Sequence, residues 1–337
     1  MIRETLQKVI QQEDLSREEA FETMNDVMGG EATPSQIGAF LVAMRMKGET
    51  PQEIAGFAES MRGKAAKVTA NQPDDAVDLV GTGGDGKHTF NISTAASFVV
   101  AGAGAPVAKH GNRSVSSKCG SADVLMELGV NLELNNEQLS DCLNEVGIAF
   151  LFAPKLHPAM KYAIGPRREI GVRSVFNILG PITNPAGVKR QLLGVYSLEL
   201  ARLLAKVMQQ LEAKHIMLVH SEDGMDEISM SDETNVVEVK DGDIREFKIA
   251  PEDFGLARSP EAIVGDDAAF NANLIKQIFN GEKGTSRDIV IANAAAGLLV
   301  AGKAGSLKEG AQLAAESIDS GAATSRLEAM RDFTQKY

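Results

Sequence analysis

Apolar positions in the first part of the chain recur at helical spacing, with the clearest stripe at Ile37, Phe40, Leu41 and Met44. A hydroxyl residue also stands three positions before Glu or Gln three times, which predicts capping boxes at helix N-termini. These pairs are Ser16 with Glu19, Thr33 with Gln36, and Thr50 with Glu53. Strand patterns are absent here, so the segment predicts a small helical unit.

After a polar boundary at 71–75, short apolar runs alternate with helical patterns. The order of strand, glycine loop, helix and strand predicts a βαβ unit and therefore a parallel sheet. The predicted elements are a strand at 77–80, a helix at 93–103, a strand from 107, a helix at 199–211, a strand at 216–220 and a helix at 287–300. The stretch from Pro154 to Pro185 contains lysines and prolines, and we expect it to be irregular and to leave the sheet.

These patterns predict an α/β protein with two domains. We expect a small all-helical N-terminal domain over residues 1–72, joined by part of 155–190. Residues 73–337 should form a larger α/β domain with a mostly parallel central sheet.

Composition narrows the class of protein. The chain has 337 residues, 44% hydrophobic and 24% charged, which is typical of a globular protein. The longest apolar run, Ala95 to Ala108, is shorter than the ~18 residues that cross a bilayer, so we expect no membrane partner. The N-terminus lacks the apolar core of a signal peptide. Cys119 and Cys142 form no disulfide framework, and we expect a cytoplasmic location.

Charge is unevenly distributed. The net charge of −12 and the 5% aromatic content argue against a nucleic-acid partner. Residues 86–122 nevertheless contain no Asp or Glu, and residues 146–198 contain only Glu169 against seven cations. Two cationic segments in an acidic chain predict a focused site for a small anionic ligand.

A glycine loop, Gly81 to Gly86, lies between a predicted strand and a predicted helix. It matches the dinucleotide fingerprint, but the next strand ends at Lys109–His110 and lacks the acid that would bind ribose. It also approaches a P-loop, but His88 stands where a metal-binding hydroxyl is needed. Both motifs share glycine N–H groups beside a helix N-terminus, here Asn91–Thr94, and that combination predicts phosphate binding.

A second loop, Lys109 to Lys118, follows the next strand of the βαβ unit. Loops at the carboxyl ends of neighbouring parallel strands face the same crevice, so we expect the two loops to converge. The cations and serines of this loop suit a phosphorylated substrate. Ser121 follows at the start of a helix, as a cap or a phosphate contact.

Five segments in this order resemble the anthranilate phosphoribosyltransferase family, and the similarity extends from the helical start to Phe333. They are Gly81–Asp85 (GTGGD), Phe90–Thr94 (FNIST), Lys109–Arg113 (KHGNR), Ser116–Asp123 (SSKCGSAD) and Phe176–Pro185 (FNILGPITNP). The resemblance implies transfer of phosphoribose from 5-phosphoribosyl 1-pyrophosphate (PRPP) to the amine of anthranilate, with release of pyrophosphate. It also implies a class II phosphoribosyltransferase fold, similar to that of nucleoside phosphorylases, and a homodimer formed through the helical domain.

The resemblance further implies the site residues. Mg²⁺, at two ions per active site, is expected at Ser93, Asp226 and Glu227. Anthranilate is expected at Gly81, Asn112 and Arg167. PRPP is expected at Gly81, Gly84, Asp85, Thr89, Asn91, Ile92, Ser93, Thr94, Lys109, His110, Gly111, Asn112, Arg113, Ser114, Val115, Ser116, Ser117 and Ser121.

Physical chemistry supports several of these roles. Paired carboxylates suit Mg²⁺, although an exposed acidic turn is the alternative and Glu222–Asp223 could be mistaken for the pair. A guanidinium binds a benzoate carboxylate in a bidentate manner. The resemblance implies Arg167 and not Arg168, because the offset of Arg167 from His157–Pro158 matches the family. No residue is an obvious nucleophile, and His110 is the nearest candidate for a proton acceptor.

Two other functions remain open at this stage. A pyrimidine nucleoside phosphorylase would share the fold and act at C1 of a pentose, but it would not need the paired acids. A non-catalytic relative that binds nucleic acid is disfavoured by charge and composition.

Overall fold

The computed structural model describes residues 1–113, 118–261 and 263–337. The chain begins with four helices, α1 (Ile2–Ile10), α2 (Arg17–Gly29), α3 (Pro34–Lys47) and α4 (Pro51–Lys64). The predicted capping boxes are confirmed, because the side chains of Ser16, Thr33 and Thr50 each accept the backbone N–H three residues later. Each of these residues also donates its own backbone N–H to the Glu or Gln side chain at that position. The predicted stripe on α3 is buried along its whole length.

One seven-stranded sheet follows in the described residues, in the order β3-β2-β1-β4-β5-β6-β7. Its strands are β1 (Val77–Gly81), β2 (Val107–Gly111), β3 (Ile148–Phe152), β4 (Arg190–Gly194), β5 (His215–Ser221), β6 (Thr234–Lys240) and β7 (Asp243–Ile249). Strands β1 to β5 pair in parallel, whereas β6 and β7 form an antiparallel extension at one edge. This confirms the predicted fold class.

Helices cover both faces of the sheet. They are α5 (Ile92–Gly102), α6 (Ser121–Glu127), α7 (Asn136–Val146), α11 (Leu198–Gln210), α12 (Ala268–Phe279), α13 (Thr285–Val300), α14 (Leu307–Asp319) and α15 (Ala322–Thr334). The predicted boundaries of α5, α11 and α13 are correct to within two residues. Among the described residues, no helix has the length and apolarity needed to cross a membrane.

The expectation that 154–185 is irregular is wrong. The segment folds into α8 (Ala153–Leu156), a 3₁₀ turn (Pro158–Met160), α9 (Lys161–Ile170) and α10 (Phe176–Ile182). Pro166 and Pro181 lie inside helices, where their missing N–H groups normally disfavour helix. Helix α9 packs against α3 and α2, so tertiary packing overrides local propensity here.

Two buried clusters organise the molecule. One lies on the α5 and α13 face of the sheet and includes Leu79, Val99 and Leu298. The other joins α1 to α4 with α9, α10 and α11, and it also buries Leu193 and Leu218 on the opposite face of the sheet. The helices at the N-terminus therefore share a core with the sheet, and the segment after β3 returns to them before β4 begins.

Candidate active site

The site lies where the strand order reverses, between the carboxyl ends of β1 and β4. Gly81 and Gly194 pair there in register. A Cβ atom on Gly81 would lie 2.9 Å from Oδ2 of Asp226, and one on Gly194 would overlap the Asp226 carbonyl oxygen. Gly194 therefore requires glycine, and a side chain at Gly81 would displace the Asp226 carboxylate, because the loop that carries Asp226 lies directly over the strand ends. Ligands of open α/β sheets bind at such reversal points.

The glycine loop after β1 has the open backbone that phosphate binding needs. Gly83, Gly84 and Gly86 have φ angles of +64°, +84° and +73°. These angles favour glycine over residues with side chains. The Gly83 N–H donates to Asp226 Oδ2 over 2.9 Å, so the loop and the acid pair touch. Asp85 Oδ1 accepts the Lys87 N–H, and Thr89 is half-buried behind the loop.

The N-terminus of α5 faces the same crevice, but its residues have different roles. Asn91 uses its side chain within the protein, donating to the Cys119 carbonyl over 3.3 Å and accepting from Asn271 Nδ2 over 3.0 Å. The side chains of Ile92 and Thr94 are buried. Ser93 remains partly exposed, which makes it the side chain of this turn that can contact a ligand.

Lys109 reaches the crevice from the end of β2 with a buried side chain. Its ammonium group donates to the Leu79 carbonyl over 2.5 Å and lies 3.3 Å from Ser93 Oγ. Burial lowers the pKa of Lys109, and the charges of Asp78 and Glu227 oppose that decrease. A cation is thus held beside the acid pair.

His110 and His157 form a buried pair behind the crevice, with ring centroids 5.2 Å apart. Nδ1 of His110 lies 3.0 Å from the Gly180 carbonyl, so Nδ1 carries the proton. Burial is the main cause that lowers the pKa of His110 to about 3 and that of His157 to about 4. Nε2 of each ring is buried without a hydrogen-bond partner among the described residues. Both imidazoles are neutral near pH 7, and His110 is a weak base in this state.

The second loop is described only in part. Gly111 is tightly enclosed, since a Cβ there would lie 2.5 Å from both Phe150 Cε2 and Ser121 Oγ. Asn112 and Arg113 are exposed at the rim of the crevice. The predicted contacts Ser114, Val115, Ser116 and Ser117 lie outside the described residues.

Ser121 is the first residue of α6 and not its cap. The N-cap is Gly120, and Asp123 accepts the Gly120 N–H over 2.9 Å. The Ser121 hydroxyl donates to the Asn112 carbonyl over 3.1 Å, which ties the loop to the helix. Because glycine has no side chain, a glycine N-cap lets the loop pass close to the helix end. The sequence pattern alone could not show whether Gly120 or Ser121 is the cap.

Asp226 and Glu227 follow β5 and lie at the floor of the crevice. Burial raises the pKa of both carboxyls, with a further increase from Asp85 for Asp226 and from Asp226 for Glu227. Glu227 also accepts the Ser93 backbone N–H. Such a repelling pair suits a divalent cation.

The neighbouring acidic residues, Glu222 and Asp223, bond to other side chains. Glu222 is exposed and pairs with Lys248, whereas Asp223 accepts the hydroxyls of Ser229 and Ser231. Within the described residues, no three His, Cys, Asp or Glu side chains gather into a complete metal site. A pair of carboxylates instead fits Mg²⁺, which keeps water ligands and takes others from substrate phosphates.

Arg167 stands on α9, which packs against α2 and α3. Its guanidinium carbon lies 5.0 Å from the ring centroid of Phe176, and burial lowers its pKa. In the described part of the chain, Arg167 has no ion pair or hydrogen bond from its side chain. It is therefore a partly desolvated cation beside an aromatic ring, which suits an aromatic carboxylate.

Sequence reasoning missed Asp78, a fully buried carboxylate in β1. It accepts the His110 N–H over 3.1 Å and the Asn184 side-chain amide over 2.7 Å. Burial raises the pKa of Asp78 to about 6, against the effect of Lys109 and these donors. An acid in the middle of an apolar strand was the signal available in the sequence.

Two family models match the chain. The description "glycosyl transferase family, helical bundle domain" matches residues 3–65, and "glycosyl transferase family, a/b domain" matches residues 73–324. The matched ranges leave a short segment between them, at 66–72, that neither family model covers.

Named relatives are similar over the whole chain. An anthranilate phosphoribosyltransferase from Trichlorobacter lovleyi is 50% identical over 99% of this chain and 100% of its own length. The crystal structure of the enzyme of that name from Thermus thermophilus has a TM-score of 0.92 at 44% identity, covering 98% of this chain and 99% of that one. The Saccharomyces cerevisiae enzyme in complex with PRPP and Mg has a TM-score of 0.90 at 27% identity, covering 100% and 98%.

The buried histidines predict acid sensitivity. The unfolded chain binds a proton at His157 below pH 6.5, whereas the folded protein does so only near pH 4. Stability is therefore lost as pH falls through this window, by about 3 kcal/mol for His157 at pH 4. In urea unfolding measured from pH 7 to pH 4, His157→Asn should show a shallower loss of stability than the parent chain.

The matched control is His88→Asn. His88 is exposed, and Asn tolerates its φ of +54°. This variant should keep the parent's slope, and an unchanged slope in His157→Asn would contradict the prediction.

Proposed function

The chain belongs to the anthranilate phosphoribosyltransferase family, and from that membership we propose how its residues divide the work of the reaction. The reaction moves the phosphoribosyl group of PRPP to the amino group of anthranilate. Its products are N-(5-phosphoribosyl)anthranilate and pyrophosphate, and it is the second step of L-tryptophan biosynthesis from chorismate. The chain is thus a pentosyltransferase.

One observation carries the assignment of the donor site. The glycine loop, the α5 N-terminus and the acid pair meet at the reversal point of the sheet, joined by the bond from the Gly83 N–H to Asp226 Oδ2. A doubly phosphorylated sugar needs phosphate donors and a divalent cation close together, and this crevice brings both. A nucleoside phosphorylase would use the phosphate loop without the acid pair, so we do not favour it.

We assign the donor to backbone groups more than to side chains. The loop residues Gly81, Gly84, Asp85 and Thr89 and the α5 turn offer N–H groups and a favourable helix dipole to phosphate. Lys109 adds a fixed positive charge next to them. Asn91 acts by holding this turn to Cys119 and Asn271, because its side chain is already engaged. The exposed Asn112 and Arg113 complete the rim.

Asp226, Glu227 and the Ser93 hydroxyl would hold Mg²⁺, and we propose two ions per site. Glu227 follows Asp226 in the chain and accepts the Ser93 N–H, which supports grouping these three residues around the metal. When bound, the metal supplies positive charge for the departing pyrophosphate. The carboxylates hold that charge in place, and the loop N–H groups stabilise the developing negative charge.

Anthranilate would lie between the strand ends and α9, with its carboxylate on Arg167. Gly81 and Asn112 border the same space. The aniline nitrogen attacks C1 and loses its proton during or after bond formation, so no strong base is required. Neutral His110, with an unpartnered Nε2, is suited to accept a hydrogen bond, and its low pKa disfavours it as a lasting proton carrier.

Exposed apolar side chains support a homodimer through the helical part. Ile10, Val42 and Met46 are exposed on α1 and α3, and Tyr162 and Ile164 are exposed on the adjoining α9. Water-facing apolar groups on packed neighbouring helices favour burial against a second copy. We also propose a cytoplasmic location, because the chain has only two cysteines and so lacks the disulfide framework typical of secreted proteins.

The function predicts loss of anthranilate fluorescence when the chain is mixed with anthranilate, PRPP and Mg²⁺. The double variant Asp226→Asn, Glu227→Gln should lower kcat about a thousandfold, since several kcal/mol of charge stabilisation are lost. Glu222→Gln is the matched control, because this nearby acid is exposed and paired with Lys248. An inactive parent chain would contradict the function, and an active double variant would contradict the metal assignment.

Arg167→Ala should raise the KM for anthranilate about tenfold or more, because a charged hydrogen bond is removed. The KM for PRPP should change by less than about twofold, as donor and acceptor contacts are separate. Steady-state kinetics with each substrate varied would measure both constants. Arg168→Ala, an exposed neighbour on α9, should match the parent chain. Equal increases in both constants would remove Arg167 from the acceptor site.

The dimer proposal predicts that Met46→Glu disrupts self-association, because it places a charge in the apolar face. Sedimentation velocity should show a dimer for the parent chain and a monomer for the variant. Phe270→Glu replaces another exposed apolar residue, on α12, and should stay dimeric. A monomeric parent chain, or a dimeric Met46→Glu variant, would rule out this face.

A further inference from the structure

Arg173 connects the two sides of the crevice, and it belongs to none of the sequence motifs of the site. It follows α9, and its Nη2 donates to the Gly84 carbonyl over 3.0 Å. Its guanidinium carbon lies 4.8 Å from the ring centroid of Tyr196, just after β4. A Cβ on Gly84 would lie 2.9 Å from the same carbon, so the loop and the guanidinium are in close packing contact.

The bond constrains one peptide plane of the phosphate loop. A trans peptide is planar, and its C=O and N–H point in opposite directions. Fixing the Gly84 carbonyl against Arg173 therefore directs the Asp85 N–H away from Arg173. Among the described residues, no hydrogen bond uses the Asp85 N–H, which leaves this donor available to a ligand.

The two ends of the bond belong to different parts of the fold. Arg173 continues from α9, which packs on α2 and α3, whereas Gly84 belongs to the loop after β1. With φ of +84° at Gly84 and +73° at Gly86, the loop has little intrinsic preference for one conformation. An external tether is therefore an efficient way to hold it.

We propose that Arg173 is a positioning residue for the donor site, which orients the Asp85 N–H toward phosphate by holding the Gly84 carbonyl. Tyr196 supports it by stacking on the guanidinium. This inference rests on the proposed role of the loop in binding PRPP. In this proposal, Arg173 does not contact the reacting atoms.

The test compares Arg173→Ala, Arg173→Lys and the control Arg168→Ala. Calorimetric titration with PRPP and Mg²⁺, without acceptor, should show about tenfold weaker binding for Arg173→Ala, because a hydrogen bond from a charged group is lost. Arg173→Lys should recover part of this loss, since an ammonium still donates to the carbonyl. The KM for anthranilate and kcat should stay within about threefold of the parent values.

Substitutions of Tyr196 test the same proposal independently. Tyr196→Phe keeps the ring face and should match the parent chain, whereas Tyr196→Leu removes it and should weaken PRPP binding severalfold. Hydrogen exchange of the free protein should be faster in residues 82–87 for Arg173→Ala and Tyr196→Leu, and unchanged for Arg168→Ala. Circular dichroism melting identifies any variant that fails to fold. If Arg173→Ala fails to fold, Arg173→Lys is compared with the parent chain in its place.

Unchanged PRPP affinity and unchanged loop exchange in Arg173→Ala would overturn the proposal. So would a fall in kcat with unchanged PRPP affinity, because that pattern indicates contact with the transition state. A parent chain that does not bind PRPP would instead overturn the proposed function, while exchange in the free protein would still test the tether.

Discussion

The buried carboxylate of Asp78 is the interaction on which the geometry of the crevice depends. It accepts hydrogen bonds from the His110 N–H and from the side-chain amide of Asn184, with Gln191 Nε2 at 3.4 Å. These partners come from β2, from the segment after α10, and from β4. A single buried charge thus ties β1, β2 and β4 to the returning chain, and losing a donor would leave part of that charge uncompensated.

Groups of opposite charge lie near one another at the crevice. The charge of Lys109 interacts with those of Asp78 and Glu227, and its ammonium group also donates to a backbone carbonyl. The acid pair contacts the glycine loop through the Gly83 N–H, and α9 carries the partly desolvated Arg167. Within a chain of net charge −12, this arrangement creates local attraction for anions where the potential as a whole would repel them.

Much of this arrangement could be predicted from local patterns. Capping boxes, the βαβ unit and the convergence of two loops follow from backbone chemistry that short segments already contain. The helices between 153 and 182 could not, because Pro166 and Pro181 disfavour helix locally. Packing of α9 against α2 and α3, and of α10 against α4, compensates for this. The role of Asp78 likewise depends on partners more than a hundred residues away, such as Asn184.

The two halves of the crevice would recognise their ligands through different chemical groups. At Gly194 the loop bearing Asp226 leaves no room for a side chain, and at Gly81 a side chain would displace the Asp226 carboxylate. Most of the proposed phosphate donors there are peptide groups. Peptide groups are common to every residue, so substitution cannot retune them without disturbing the chain path. The half around Arg167 and Phe176 is built from side chains. Protein engineers seeking new aromatic acceptors would therefore vary α9 and α10 and leave the glycine pair untouched.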